Sequence, residues 1–600
     1  MSDTPTTTTR IRLAVLFATA LLTTSCSRVD PPASAQLELP DAFDSQTLNR
    51  ETRRVLTSRE PIRVTGRTEA ACRIYTATGT NGPIGDDSRF TLRARMADGE
   101  QSVLFDSKAA SESASTARAE DAAGWSEVVI PLPANRIETL SFESSRSEDF
   151  WARPLLRCDD ASNDYGDSTP NVLLISLDTL RADRLGVLGN RRDLTPNLDA
   201  FARQATSFSE AYATFPNTIL SHGSIFTGLR PMDLGNLFDV RVHGLETLAR
   251  GFARAGYATA AFTENAFVGA AWGFANGFDL YHDGPGFGGG NTGHARETFT
   301  RGLKWLTERP PGPWFLFLHT YETHAPYNAD LADVELLTAR HHAGYKGPLK
   351  WSALTKGVDL KSATGLDPRA DTSRQIAILY DAVVRRLDRA FGELIERLGE
   401  AGALDNTIVV VFSDHGESLM EAGVHGHGKT LNTEELRVPL IFFEPGRIPG
   451  DATVSTPVSL IDLGPTIAQL AGIDHRFPEA NTESFADQVL GDPSGGARPV
   501  FSEVLTGLEV CPDGVKDLCG TREISVRLDG QTYIDDGRGG GRLLGRKPAV
   551  GDDESRRIRT RMAALARRYR ARSVERAFES QPPPVDEETH RKLRGLGYVD

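Results

Sequence analysis

Four short stretches carry side chains suited to bond-breaking chemistry, and they lie far apart in a chain of 600 residues. "FPNTILSHGSIFTG" (Phe215–Gly228) places Thr218 directly behind a Phe-Pro-Asn turn and His222 one helical turn further on. A helix starting there would offer unpaired N–H groups and the positive end of its dipole to an anion. Threonine is also a good helix cap, so on this stretch alone Thr218 is either a cap or a nucleophile. "NVLLISLD" ends in Asp178, "TIVVVFSDHGE" carries Asp414-His415, and "WFLFLHTYETHAPY" leads into Glu322 and His324. A single Asp after a strand serves equally well as a turn residue. Two carboxylates and an imidazole converging on one point have a simpler explanation, a divalent cation that offsets the like charges. Such an ion beside Thr218 would shift its hydroxyl towards alkoxide and make it nucleophilic.

The elements that must position these residues are visible in the apolar pattern. "NVLLISL" (171–177), "WFLFLHT" (314–320), "TIVVVFS" (407–413) and "VPLIFFE" (438–444) are continuous apolar runs, as in strands buried on both faces. Helical spacing marks "SRQIAILYDAVVRRLDRAFGELIERLGEAG" (373–402), with Gly402 to stop it. Strands alternating with helices imply an α/β domain with a largely parallel sheet, whose ligands bind beyond the carboxyl ends of the strands. That domain is expected over 170–498. Ahead of it, 62–160 reads as a β-sandwich from short alternating runs such as "RFTLRARM" and "SEVVIPL", a spacer or sugar-binding module. Residues 159–170, "DDASNDYGDSTP", read as a linker. Residues 499–600, with the basic run "RRIRTRMAALARRYRARS", read as a small C-terminal α+β subdomain.

The formal charge of −14, from 81 acidic and 67 basic residues spread along the chain, argues against a non-specific nucleic-acid binder. The first 26 residues combine Arg10 and Arg12, the apolar run "LAVLFATALL" and "TTSCS", the parts of an export signal too short to span a bilayer. Residues 27–61 are polar and read as a tether. Excluding Cys26, the cysteines are Cys72, Cys158, Cys511 and Cys519. Cys511 with Cys519, and Cys72 with Cys158, are candidate disulfides of an exported protein; four buried thiols are the alternative.

Together, "NVLLISLDTLRADRLG", "NTILSHGSIFTGLRP", "LHTYETHAPY", "VVVFSDHGESLMEAGVHGHGKTLNTEELRVPLI" and "EETHRKLRGLGYVD" resemble the sulfatase family of the alkaline-phosphatase superfamily. The resemblance runs from about Pro170 to the C-terminus and implies an alkaline-phosphatase-like α/β sandwich. It also implies hydrolysis of sulfate esters on a small molecule or glycan, with one divalent ion, Ca²⁺ by family. Carried over, the ligands are Asp178, Asp414, His415 and Thr218, and His324 and His427 contact substrate or leaving group.

The nucleophile position, a cysteine or serine converted to an aldehyde in the family, is Thr218 here, and the motif's arginine is His222. Threonine cannot form that aldehyde. A threonine there, with His four residues on, resembles the superfamily's phosphodiesterases and makes phosphate esters an equal expectation. Thr179 replaces a second Asp of many sulfatases, and mixed Asp and His ligands also suit Zn²⁺ or Mn²⁺. His222, His324, His427 and Lys429 would form an acidic or cationic wall, with Asn265 and Glu322 as further substrate-binding candidates. Cys26 after small residues resembles a lipobox, implying a cell-envelope protein that meets the membrane only through an N-terminal lipid. The loop around Ala422 and His425 departs from the commoner family pattern. A non-catalytic glycan-binding lipoprotein and an envelope phosphotransferase are the competing readings.

Overall fold

The computed structural model describes residues 36–571 apart from 40–43, 49, 57–59, 66–71, 81–87, 108–124, 134–136, 159–168, 236–239, 241, 265, 285–292, 343–344, 346–370, 479–481, 493–495, 511–517 and 545–552. The export signal with Cys26, most of the linker, Asn265, Cys511 and the terminal "EETHRKLRGLGYVD" therefore lie outside the described residues.

A ten-stranded sheet organises the central region. Five neighbouring strands run parallel: Leu280–Asp283, Ala258–Thr263, Trp314–Thr320, Asn171–Leu177 and Thr407–Phe412. These are the continuous apolar runs of the sequence, and alternate side chains enter opposite cores. Val172, Leu174, Phe315, Phe317, Ile408 and Val410 face the core that also holds Ile219, Leu220, Ile225 and Phe226 of helix Thr218–Thr227. Leu173, Ile175, Leu316, Leu318, Val409 and Val411 face the core beneath helix Asp371–Glu400. The sheet is thus covered on both sides, which explains why its strands show no polar alternation.

Two expectations are corrected. The run at 438–444 is a strand over Leu440–Phe443, but it pairs antiparallel with Thr407–Phe412 and begins a mixed edge. A continuous apolar run reports burial on both faces and carries no directional signal. The expected tether at 27–61 holds ordered strands: Asp44–Leu48 and Glu51–Val55 form a hairpin that extends the sheet edge antiparallel to Leu280–Asp283. It reads as polar because it is an edge element, with Arg53 paired to Glu51 and Glu127. Leu48, Thr52 and Val55 are its buried residues.

The region expected as a sandwich forms two antiparallel sheets around Ile74, Leu92, Ile130, Leu140 and Trp151, one of four strands and one of five, the fifth being Gln36–Glu38 from the stretch expected as a tether. Cys72 and Cys158 are disulfide-bonded across 86 residues of sequence. At the C-terminal end, a four-stranded antiparallel meander packs beneath helix Asp553–Ala571, with Ile524, Val526 and Tyr533 against Met562, Ala566 and Tyr569.

Candidate active site

The chain ends of three parallel strands and the start of one helix meet at a single buried point. Asp178 follows strand Asn171–Leu177, and Asp414-His415 follows Thr407–Phe412. One ligand atom each from Asp178, Asp414 and His415 lies within 4.8 Å of the others, and all three residues are fully buried. Thr218 is the first residue of its helix, and Asn217 before it is the cap, its side chain accepting from Leu220 N at 3.1 Å. The capping question is thereby answered: Asn217 performs it, leaving the Thr218 hydroxyl for other work. That hydroxyl donates to Asp178 Oδ2 at 3.1 Å and lies 3.3 Å from His415 Nε2.

The donor set fits a divalent cation. Asp178 Oδ1 and both Asp414 carboxylate oxygens are buried without any hydrogen-bond partner, a costly arrangement unless a cation satisfies them. Burial lifts Asp178 far above the ordinary carboxylate range, and the neighbouring Asp414 pushes the same way. Burial would raise Asp414 too, but the surrounding imidazoles of His415, His222 and His427 hold it below its usual value. His415 Nδ1–H donates to Gly416 O at 2.8 Å, which leaves the Nε2 lone pair for a metal. Thr179 turns away, its hydroxyl donating to Asp178 O at 2.7 Å, and adopts a left-handed φ of 58°. That turn is held by the Tyr380 hydroxyl, which donates to Thr179 O, and by Thr323, which donates to Asp178 O.

His222 belongs to this cluster without facing a ligand space. Its Nδ1–H donates to Thr218 O at 2.9 Å, and its Nε2 accepts from Ser176 at 2.9 Å. Burial lowers its proton affinity, so it is a neutral strut between helix Thr218–Thr227 and strand Asn171–Leu177. With both ring nitrogens engaged, the geometry supports a positioning role for it.

Opposite the carboxylates stands a wall of imidazoles. The rings of His324 and His427 are 4.9 Å apart, and His427 is 4.5 Å from His415. His324 Nδ1 donates to Ala325 O, and His427 Nδ1 donates to Glu417 Oε1 at 3.0 Å. Burial, then the neighbouring His427, lowers His324 to about 4; burial, then His415, lowers His427 well below its usual value. Lys429 sits exposed on the same loop, its Nζ donating to His425 O at 2.8 Å.

Glu322 is engaged by neighbouring helices. Its Oε1 is bonded to Arg386 of the long helix, and its Oε2 accepts from Ala295 N at 3.1 Å. These bonds tie two helices to the strand end, which gives Glu322 a structural task beside the substrate-binding one expected of it. Sequence reasoning missed two neighbours of the site. His319, fully buried within its strand, places Nε2 3.4 Å from Asp178 Oδ2. Glu417, fully buried, orients His427. A polar residue inside an apolar run was the available signal for His319; for Glu417 it was the glutamate of "SDHGE".

This fold and arrangement are those of an ester hydrolase of the alkaline-phosphatase superfamily, with a donor set that could hold a metal ion. A profile of the sulfatase family matches residues 170–473, and the chain belongs to that family. It is 25% identical to an arylsulfatase of Clostridium perfringens over 371 residues, covering 51% of this chain and 75% of the relative. It is 26% identical to an ulvan-active sulfatase of Formosa agariphila over 343 residues, 54% of this chain and 65% of that relative. Its fold matches that of a phosphonate monoester hydrolase of Agrobacterium radiobacter with a TM-score of 0.52 at 19% identity, over 67% of this chain and 95% of the other.

Proposed function

We propose that the protein hydrolyses sulfate or phosphate esters through a covalent intermediate on Thr218. The observation that carries this reading is the Thr218 hydroxyl at a helix start, 3.1 Å from Asp178 and 3.3 Å from His415, beside carboxylate oxygens that lack partners. Asp178, Asp414, His415 and Thr218 would hold one divalent ion, and the imidazole among them favours Zn²⁺ or Mn²⁺ over Ca²⁺. The bound ion would neutralise the two carboxylates and stabilise negative charge at the reacting oxygens.

Asp178 takes up the Thr218 proton, and the oxygen attacks sulfur or phosphorus in line, breaking the bond to the leaving alcohol. The N–H groups at the start of the helix face the transferred group. His324 or His427 protonates the leaving alcohol. The arriving anion opposes the burial that holds these imidazoles neutral and raises their proton affinity. Water then gives a proton to that imidazole and attacks sulfur or phosphorus, breaking its bond to the Thr218 oxygen, which recovers its proton from Asp178 as sulfate or phosphate leaves.

Relatives named as a sulfatase and a phosphonate monoester hydrolase support both ester classes. Because threonine cannot supply the aldehyde, the phosphate branch is favoured for efficient turnover. Steady-state assays on aryl sulfate, aryl phosphate and a phosphodiester, before and after chelation, test the reading. Turnover unchanged in Thr218→Ala would overturn it. The Cys72–Cys158 disulfide supports export to an oxidising compartment, with attachment through Cys26 as part of the proposal.

A further inference from the structure

Helix Asp553–Ala571 carries seven arginines and two acidic residues, in a chain whose formal charge is −14. Its apolar side is used up: Met562, Ala566 and Tyr569 are buried against Ile524, Val526 and Tyr533. On the opposite side Arg557, Arg567 and Arg568 are exposed and, at 100° per residue, fall within about 100° of one another around the helix. Arg556 and Arg561 flank them, paired with Asp553 and Asp529. Among the described residues no carboxylate pairs with Arg557, Arg567 or Arg568. From Arg557 to Arg568 the stripe is roughly 17 Å long, at 1.5 Å per residue.

We infer that this stripe is a docking surface for a polyanionic polysaccharide, a chain whose sulfate or phosphate esters are presented to Thr218. The inference rests on the ester-hydrolase reading for the link to substrate. Three observations favour this occupant. All seven cations are arginines, whose planar forks match the paired oxygens of sulfate and carboxylate better than lysine does. The helix has no apolar residues left to enter a bilayer, which an interfacial membrane helix requires. The helix is also tied to the catalytic region: Tyr569 O accepts from Arg230, just beyond the end of helix Thr218–Thr227. That ten-residue helix is about 15 Å long and has Thr218 at its far end. Binding energy from a remote part of a polymer can then raise its local concentration at the reacting ester.

The test uses the full chain with Arg557→Ala, Arg567→Ala and Arg568→Ala combined. Dextran sulfate is the probe, uncharged dextran the control, and mixed phosphatidylcholine–phosphatidylglycerol vesicles the rival surface. The wild type is expected to bind dextran sulfate in a salt-dependent way. The triple variant is expected to bind it on the order of tenfold to a hundredfold more weakly and with a shallower salt slope. Hydrolysis of a small aryl ester by the triple variant should equal that of wild type, which also shows that it folds. Thr218→Ala should bind the polymer like wild type while turning nothing over. Failure of the catalytic reading, seen as turnover by Thr218→Ala, is thereby separated from failure of the docking surface. Equal dextran sulfate affinity in wild type and triple variant would overturn the inference. So would arginine-dependent binding to the vesicles without binding to the polymer.

Discussion

The two halves of the site are built differently. On one side Asp178, Asp414 and His415 sit at the ends of neighbouring parallel strands, and three of their four carboxylate oxygens have no hydrogen-bond partner. On the other, each imidazole is anchored through Nδ1, His324 to Ala325 O and His427 to Glu417. The first half leaves buried oxygens that a cation would satisfy; the second is already oriented and neutral. A site assembled this way separates binding an ion from handling a proton. Substitutions in the two halves should therefore fail in different ways.

The largest effect is expected from Thr218→Ala, which removes the nucleophile itself and should lower kcat by about 10³-fold or more with metal content retained. Asp414→Asn should follow, by losing the ion: bound metal measured by elemental analysis drops below one equivalent and activity falls with it. A variant that keeps its full metal content would contradict the assignment of that half. Glu417→Gln should cost about 10- to 100-fold in activity by loosening His427, while metal content stays near wild type. A loss of metal there would show that the halves are not separable.

Smaller effects fall on the supports. Glu264, buried and accepting from Thr320 Oγ1, Tyr321 N and His294 N, is raised to about 7 by burial, with Glu322 adding to the shift. Its pKa is higher folded than unfolded, so its contribution is fully present below pH 4.5 and is lost as pH rises through 7. Between pH 5 and 8 this shift is worth up to about 3 kcal/mol, and Glu264→Gln should flatten that part of the urea-denaturation profile. A profile unchanged by the substitution would contradict a neutral, buried Glu264. Glu322→Gln should lower stability by about 1–3 kcal/mol, through its bonds to Arg386 and Ala295, and leave KM for a small ester unchanged. A rise in KM would restore Glu322 to the substrate side.

Much of the metal half was legible in the sequence because its ligands follow runs such as "NVLLISL" and "TIVVVFS", where apolar continuity fixes both the strand and the sheet end. Thr218 was legible as a helix start but ambiguous as a cap, since Asn and Thr stand side by side and either can cap. Only the Asn217-to-Leu220 bond separates them. The wall was less legible. Glu322 pairs with Arg386, 64 residues away, and no local pattern reports that contact. His222 looked like a group facing substrate until Ser176 and Thr218 O were seen to occupy both ring nitrogens. The edge hairpin at 44–55 was hidden because edge strands carry charges that read as loop.

The account depends on distant parts of the chain meeting so that one hydroxyl becomes the attacking group. The most direct measurement is high-resolution mass analysis of the protein quenched during turnover of a phosphate or sulfate ester, followed by peptide mapping. The account predicts a phosphoryl or sulfuryl group on the peptide containing Thr218, absent from Thr218→Ala. A label on a different residue, or full turnover with Thr218 replaced, would contradict it.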